Sequence, residues 1–216
     1  FNEHRPVCTK EYHLTGKYLD GADNPDVWYP IKGAGTGASV AYLDRELKLN
    51  CGSGMISASR CVIDQTKFPI TGNFLEVTCE LGSLDVGEGG NRHVCFGFQD
   101  VFSRFNSSSA GNRFIVYQVN DGDWKIANEG EYVVISQTPL GRNLLQGDIV
   151  TLRLDRQEGS ANIDIGRVYV NGQKIYETNV IPTVNVYAGI GVFASNALVD
   201  IGAQLGIKYF GVRYVP

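Results

Sequence analysis

The chain contains no apolar run near the ~18 residues that a membrane-spanning helix requires, so no insertion into a membrane is expected. It also lacks any clustering of charge. Its 19 basic and 23 acidic residues are scattered and sum to −4. Without a basic face the chain is not expected to bind nucleic acid, and without a Lys/Arg run it has nothing to hold an anionic membrane. Helical periodicity is missing as well, since no window of eleven residues repeats well at 3.6. Histidine is scarce: His4, His13 and His93 are the full set, and no two have metal-ligand spacing. No metal and no cofactor is expected. A Gly-x-Ser-x-Gly elbow is absent, Gly52-Ser53-Gly54 being too short, which removes one common form of nucleophilic serine. Gly33–Gly37 is not followed by Lys-Ser/Thr and does not read as a phosphate loop. The first residue is Phe1 rather than Met, from which we expect a processed product or an excised domain.

Five cysteines cannot all pair within one chain, so they make a poor disulfide framework. Cys79 and Cys95 flank Asp85–Gly90 as a hairpin pair would. Parity speaks against a bridge, because Cys79 shares a face with Leu75, Val77 and Leu81, whereas Cys95 lies opposite Val94, Phe96 and Phe98. Cys79 therefore reads as a small buried hydrophobe. Cys51 and Cys61 flank a glycine-rich stretch and stand as the alternative pair. Asn106-Ser107-Ser108 is a glycosylation sequon and the main hint of an extracellular or surface-exposed protein.

What the chain does have is short β-forming runs and turn residues. Its 26 glycines in 216 residues exceed the usual ~7%. Residues 1–37 are broken by Pro6, Pro25 and Pro30 and read as an irregular N-terminal segment packed on the domain. From residue 38 to 216 the chain reads as a single β-sandwich domain. Strands are expected at Ser39–Leu43, Glu46–Cys51, Met55–Ile63, Asn73–Gly82, Arg92–Gln99, Asn112–Asn120, Trp124–Asn128 and Tyr132–Gln137. Each is bounded by Gly, Asn, Asp, Ser or Pro, and their spacing of 8–12 residues is that of an all-β sandwich. Asp121-Gly122-Asp123 reads as a hairpin turn in preference to a calcium loop.

The C-terminal stretch is the most ordered in pattern. Asp148–Arg156 alternates as a strand, Glu158-Gly159 turns, and a second strand runs from Ala161 to Val170. Asn171-Gly172 then predicts a type I′ hairpin, because both central residues of that turn need φ > 0. Ile163 and Ile165 differ in parity from Val168 and Val170, and a one-residue bulge at Gly166 is expected to bring both pairs onto one face.

This order of parts, TLRLDR, a turn, VYVNGQKI, AGIGVFASNALVDI and a last strand IKYFGVRYV, resembles the concanavalin A-like lectin/glucanase superfamily in its laminin G-like form. The resemblance covers about the last third of the chain. It implies an all-β fold, an antiparallel two-sheet β-sandwich of jelly-roll type. It leaves function open, since the superfamily includes lectins, hydrolases, lyases and adhesion domains.

Two sets of residues carry candidate chemistry. Glu76, Thr78 and Glu80 lie at i, i+2 and i+4 and emerge on one face of a strand. The set resembles the retaining glucanase motif Glu-x-Asp-x-Glu with Thr78 in place of the middle Asp. In that reading Glu76 is the nucleophile and Glu80 the acid/base, but the group that holds the two in different protonation states is missing. The structural reading, two solvated glutamates on a polar face, is preferred. The second set is Trp124, Tyr117 and Arg113. Arg113 and Tyr117 share parity on one strand and Trp124 follows the next turn, so together they form a candidate patch where a ring stacks under a sugar beside polar donors. Against it stands the reading that both aromatics are core plugs with Arg113 lying over them. The expectation is a non-catalytic carbohydrate-recognition or adhesion domain whose partner is a glycan or glycoprotein. The alternatives are a glycan-cleaving enzyme using Glu76 and Glu80, and a structural surface module such as a viral or phage coat or fibre domain. The oligomeric state is left open.

Overall fold

Apolar residues recur at every second position through most of the chain, and they become strands because only an extended backbone puts such residues on one side. The structure, a computed structural model, describes residues 10–15, 28–32, 38–51, 54–85, 92–101, 111–197 and 203–216, for 28–32, 54–66 and 195–197 as backbone. Among these, the strands are β1 (Lys10–Thr15), β2 (Trp28–Lys32), β3 (Ser39–Leu43), β4 (Glu46–Asn50), β5 (Gly54–Phe68), β6 (Phe74–Asp85), β7 (Arg92–Gln99), β8 (Arg113–Val119), β9 (Lys125–Ala127), β10 (Tyr132–Val134), β11 (Ile149–Arg156), β12 (Ile163–Val170), β13 (Gln173–Thr178), β14 (Val186–Ala197) and β15 (Gln204–Val215). The described residues include no α-helix, only a 3₁₀ turn at Ile135–Gln137.

Two antiparallel sheets result. The first runs β13-β12-β11-β6-β15-β4-β3. β15 pairs with β6 along its length, and its other edge is shared by β4, at Gln204–Ile207, and β1, at Tyr209–Tyr214. The second sheet runs β10-β9-β8-β7-β14-β5-β2. Inward residues of both, such as Val77, Leu152 and Phe210 from the first and Phe96, Phe114 and Ile190 from the second, form one core with no exposure. Strand alternation thus leaves one outward face on each sheet.

The segment expected to be irregular contributes to both sheets. β1 hydrogen-bonds to β15, and β2, carrying Trp28-Tyr29, to β5. The prolines mislead here because Pro30 sits in β2, on the edge of its sheet, the place in a sheet where proline is tolerated. β6 and β7 are not a hairpin; they belong to different sheets. Cys79 points into the core and Cys95 lies on the outer face of the second sheet, so the two are not bridged. Burial pushes the Cys79 thiol pKa well up. Cys51 is buried, and its Sγ accepts the Ala203 N–H at 3.0 Å; the Cys61 side chain and the Asn106 sequon lie outside the described residues.

The bulge in β12 is real but sits two residues earlier than expected. Asp155 pairs with Ile165 and Arg156 with Ile163, which makes Asp164 the extra residue. Ile163 thereby joins the core with Val168 and Val170, while Ile165 stays half-buried outside. Gly166 keeps an inward position because the opposite sheet presses on it. A Cβ there would meet Ile181 Cγ2 at 2.9 Å and Phe114 Cζ at 3.0 Å.

The hairpin between β12 and β13 has the expected turn, with φ of 51° at Asn171 and 80° at Gly172. Asn171 also ties it to the start of β11. Its Oδ1 accepts the Ile149 N–H at 2.9 Å and its Nδ2 donates to Asp148 Oδ1 at 2.8 Å. Asp148, buried, accepts two bonds of 2.7 Å from the Arg142 guanidinium and a third of 2.7 Å from the Leu145 N–H. The arginine first, then the backbone and Asn171 donors, hold its carboxyl pKa down at about 2 against an ordinary 3.8.

Two outcomes are expected. Gly172→Val, with open space around it but φ in the left-handed region, should lower stability by about 1–2 kcal/mol from backbone strain alone, read as a lower urea midpoint. Because the folded pKa of Asp148 lies below the unfolded one, the unfolded chain binds that proton more tightly. Its contribution, about 2 kcal/mol, is complete above about pH 4 and is lost as pH falls towards 2. Urea titrations across that window should show the decline, and Asp148→Asn should flatten it while lowering stability at neutral pH.

Candidate functional site

The outer face of the first sheet is a ladder of charge. One row crosses it as Glu11, Arg213, Glu76, Arg153, Arg167 and Glu177, on β1, β15, β6, β11, β12 and β13 in turn. Glu11 lies 3.3 Å from Arg213, and Glu76 is flanked by Arg213 at 3.6 Å and Arg153 at 3.9 Å. Where two arginines face each other, Asp155 of the adjoining row sits between them, 2.6 Å from Arg153 and 2.5 Å from Arg167. Both Arg153 and Arg213 also lie over the Phe74 ring. Such half-exposed pairs contribute little singly, and here they neutralise one another as a network.

Glu76, Thr78 and Glu80 do share this face, alternating with buried Leu75, Val77 and Cys79. Their arrangement does not suit the glucanase reading. Glu76 is engaged by two arginines, whereas Glu80 sits two rows away between Tyr209 and Ile149. Four residues of strand separate their Cα atoms by about 13 Å, so the about 5–5.5 Å of a retaining pair needs side chains that lean towards each other, and Glu76 leans to its arginines instead. Thr78 between them bonds sideways to Thr151, hydroxyl to hydroxyl at 3.0 Å.

The outer face of the second sheet has another character. Arg113, Ile115, Tyr117 and Val119 point outwards on β8, beside Cys95 and Gln99 on β7 and Lys125 and Ala127 on β9. Ile115, Cys95, Ala127 and Tyr117 form a small buried cluster of their own. On β14 the outward positions are Tyr187, Gly189, Gly191 and Phe193, a strip of backbone between two rings. The Phe193 ring meets His93 edge-on at 5.7 Å.

Tyr132 completes this face. The β9–β10 hairpin pairs it with Ala127, which brings its ring 6.4 Å from Tyr117, edge-on, and 5.4 Å from the Arg113 guanidinium. Arg113 also donates to its hydroxyl. Tyr132 is 62% exposed, so one ring face is open to solvent while its edge is fixed. Burial, then the neighbouring Tyr132, raises the Tyr117 hydroxyl pKa, with Arg113 opposing. The sequence pattern puts Tyr132 at a strand start but carries no register that brings it beside Arg113.

Trp124 is not part of this face. It is 1% exposed, packs in the inter-sheet core with its ring 6.1 Å from Phe96, and so lies on the opposite side of the sheet from Tyr117 and Arg113. Its backbone N–H donates to Asn143 Oδ1 at 3.0 Å, and Asn143 in turn donates to Asp123, so the Asn120–Asp123 segment is a tied turn. Parity carried the signal: Trp124 is two residues from the inward Ile126.

No protein-family profile matches the chain, and no curated protein matches it in sequence. Solved structures do resemble it. The carbohydrate recognition domain of Emp47p is 12% identical, with all of both chains covered and a TM-score of 0.60. An endo-1,3-beta-glucanase from Streptomyces sioyaensis is 13% identical over 96% of this chain and 97% of its own, with a TM-score of 0.60. Lectin UEA-II, complexed with galactose, is 10% identical over 97% and 100%, at 0.58. The fold is that of the concanavalin A-like lectins and glucanases. Most described residues on the second sheet's outer face are buried, Arg113, Tyr117, Gln99 and Ile115 among them, and Tyr132 stands beside them with its ring largely open to solvent.

The two aromatics should therefore behave oppositely. Trp124→Ala is expected to cost about 3–5 kcal/mol through the cavity it leaves, whereas Tyr132→Ala should stay within about 1 kcal/mol. Equilibrium urea unfolding of both variants measures the contrast.

Proposed function

We propose that the protein is a non-catalytic carbohydrate-recognition domain that binds a glycan on the outer face of its second sheet. The observation that carries this reading is the Tyr132 ring, exposed on one side and held by Arg113 and Tyr117 on the other. A pyranose presents an apolar C–H face and a rim of hydroxyls. A fixed ring takes the first, and polar groups around the ring take the second. Preorganisation matters because a ring already held in place loses little entropy on binding.

Binding is favoured over cleavage by the state of Glu76. A nucleophilic carboxylate and its acid partner must converge on one bond, and Glu76 is committed to two arginines. A glycan-binding role accords with a protein that works outside the cell or at a surface, on a glycan or glycoprotein.

A broad glycan array probed with the wild type and Tyr132→Ala tests this. Wild-type binding that Tyr132→Ala reduces by about tenfold or more, with the thermal midpoint unchanged, is the expected result. An array blank for the wild type would favour a structural module instead. Hydrolysis of a β-glucan that Glu76→Gln abolishes would favour an enzyme.

A further inference from the structure

Two polar side chains are enclosed between the sheets without the partners that burial demands. Arg92 opens β7 and Gln118 lies near the end of β8. Strand parity turns both inwards, in line with the core residues Val94 and Phe96 on one strand and Phe114 and Val116 on the other. Arg92 is 4% exposed and Gln118 7%. Among the described residues, Arg92 Nε and Gln118 Oε1 have no hydrogen-bond partner, and no carboxylate pairs with the Arg92 guanidinium. A guanidinium stays charged in proteins, and a buried charge without a partner is strongly unfavourable. The Arg92 backbone, in contrast, is well held. Its N–H donates to Asn120 Oδ1 at 2.8 Å, and its C=O accepts the Asn120 N–H at 3.0 Å. The Gln118 amide is also oriented, because Nε2 donates to the Gly122 C=O at 2.7 Å. Turned over, it would set oxygen against oxygen, so Oε1 is the atom left without a donor.

An apolar pocket lies at the same end of the sandwich, where β6 finishes at Asp85 and β7 begins at Arg92. It holds about 210 Å³ of space, open to solvent, between Leu81, Leu84, Leu144, Gln146, Leu205 and Trp124. Register connects its wall to the two unsatisfied groups. Val116 pairs with Ile126 and Tyr117 with Lys125, so Trp124 stands next to Gln118 across the strands. Gln118 pairs in turn with Val94, which makes Arg92 its diagonal neighbour. An apolar wall, an acceptor and a cation thus follow one another. We propose that this end of the sandwich binds a small 2-hydroxy monocarboxylic acid with an apolar tail. The tail fills the pocket against Trp124, and the carboxylate takes the two-bond fork of Arg92. The adjacent hydroxyl donates to Gln118 Oε1, which no carboxylate oxygen can do. This site lies beneath the second sheet and is separate from Tyr132 on its outer face.

Titration calorimetry with 2-hydroxyhexanoate, its methyl ester, hexanoate and lactate tests the proposal. The ester removes the charge, hexanoate the hydroxyl and lactate most of the tail. The wild type should bind 2-hydroxyhexanoate, and the ester at least about tenfold more weakly. Hexanoate and lactate should each bind more weakly too. Arg92→Met should abolish binding of the acid, and Gln118→Leu should remove the preference for 2-hydroxyhexanoate over hexanoate. Thermal unfolding without ligand supplies a second readout. An arginine kept for a ligand costs stability while the site is empty, so Arg92→Met should melt at the wild-type temperature or above it. An arginine that only supports the fold would lower it on removal. No binding of 2-hydroxyhexanoate by the wild type, equal affinity for the ester, or undiminished binding by Arg92→Met would each overturn the proposal. A clear fall in the melting temperature of Arg92→Met would do the same.

Discussion

Two sheets here must bury one face each against the other, and this requirement governs nearly every side chain in the strands. The core between them is continuous, so residues facing inwards are mostly apolar and fit their neighbours, as Phe96 does against Trp124. A residue facing outwards is released from that demand. Gly166 shows how strict the inner side is. The Phe114 ring and Ile181 leave no room for a methyl group there, and the strand takes up the mismatch two residues earlier, at Asp164. Packing, more than hydrogen bonding, decides where the strand departs from regularity.

With most of the inner faces committed to packing, the outer ones are left to differ in kind. The first sheet ends its charges on itself: each acid in the row across β1, β15, β6, β11, β12 and β13 finds an arginine on a neighbouring strand. Such a face is well solvated and has little left to offer a ligand. The second sheet has rings at its rim, glycine backbone at Gly189 and Gly191, and a largely buried row at Cys95, Ile115, Tyr117 and Ala127.

The edges of the sandwich are tied by polar groups more than by the core. Asp148 collects the Arg142 guanidinium, a backbone N–H and Asn171, and so fastens the start of β11 to the β12–β13 turn. At another edge Asn128 accepts the N–H groups of Gly130 and Glu131 and donates to Tyr176 and Thr178. That cluster joins the β9–β10 hairpin, which carries Tyr132, to the last strand of the opposite sheet. Desolvation and the Glu131 carboxylate push the Tyr176 hydroxyl pKa up to about 12, so it stays a neutral donor. The ring proposed to hold a sugar is thus positioned through both sheets.

Much of this is legible in the sequence alone. Strand alternation and turn residues locate Ser39–Leu43 and Arg92–Gln99 residue for residue, and Asn171-Gly172 specifies its own turn, because these are properties of a few consecutive residues. Parity within a strand likewise assigns Glu76, Thr78 and Glu80 to one face and keeps Cys79 off the side of Cys95. What the chain could not reveal was anything that depends on which strands become neighbours. That β6 and β7 part into different sheets, that β1 and β2 join from a proline-broken segment, and that Arg153 and Arg213 close on Glu76 are all matters of pairing between residues far apart in sequence. The same holds for the site. Arg113 and Tyr117 share a face by local alternation, but Tyr132 reaches them through the register of a second hairpin, and Trp124 is drawn under the sheet because the core needs its volume there. Local backbone geometry acts over two to four residues and can be read directly; packing compares distant surfaces, and only the folded chain brings those surfaces together.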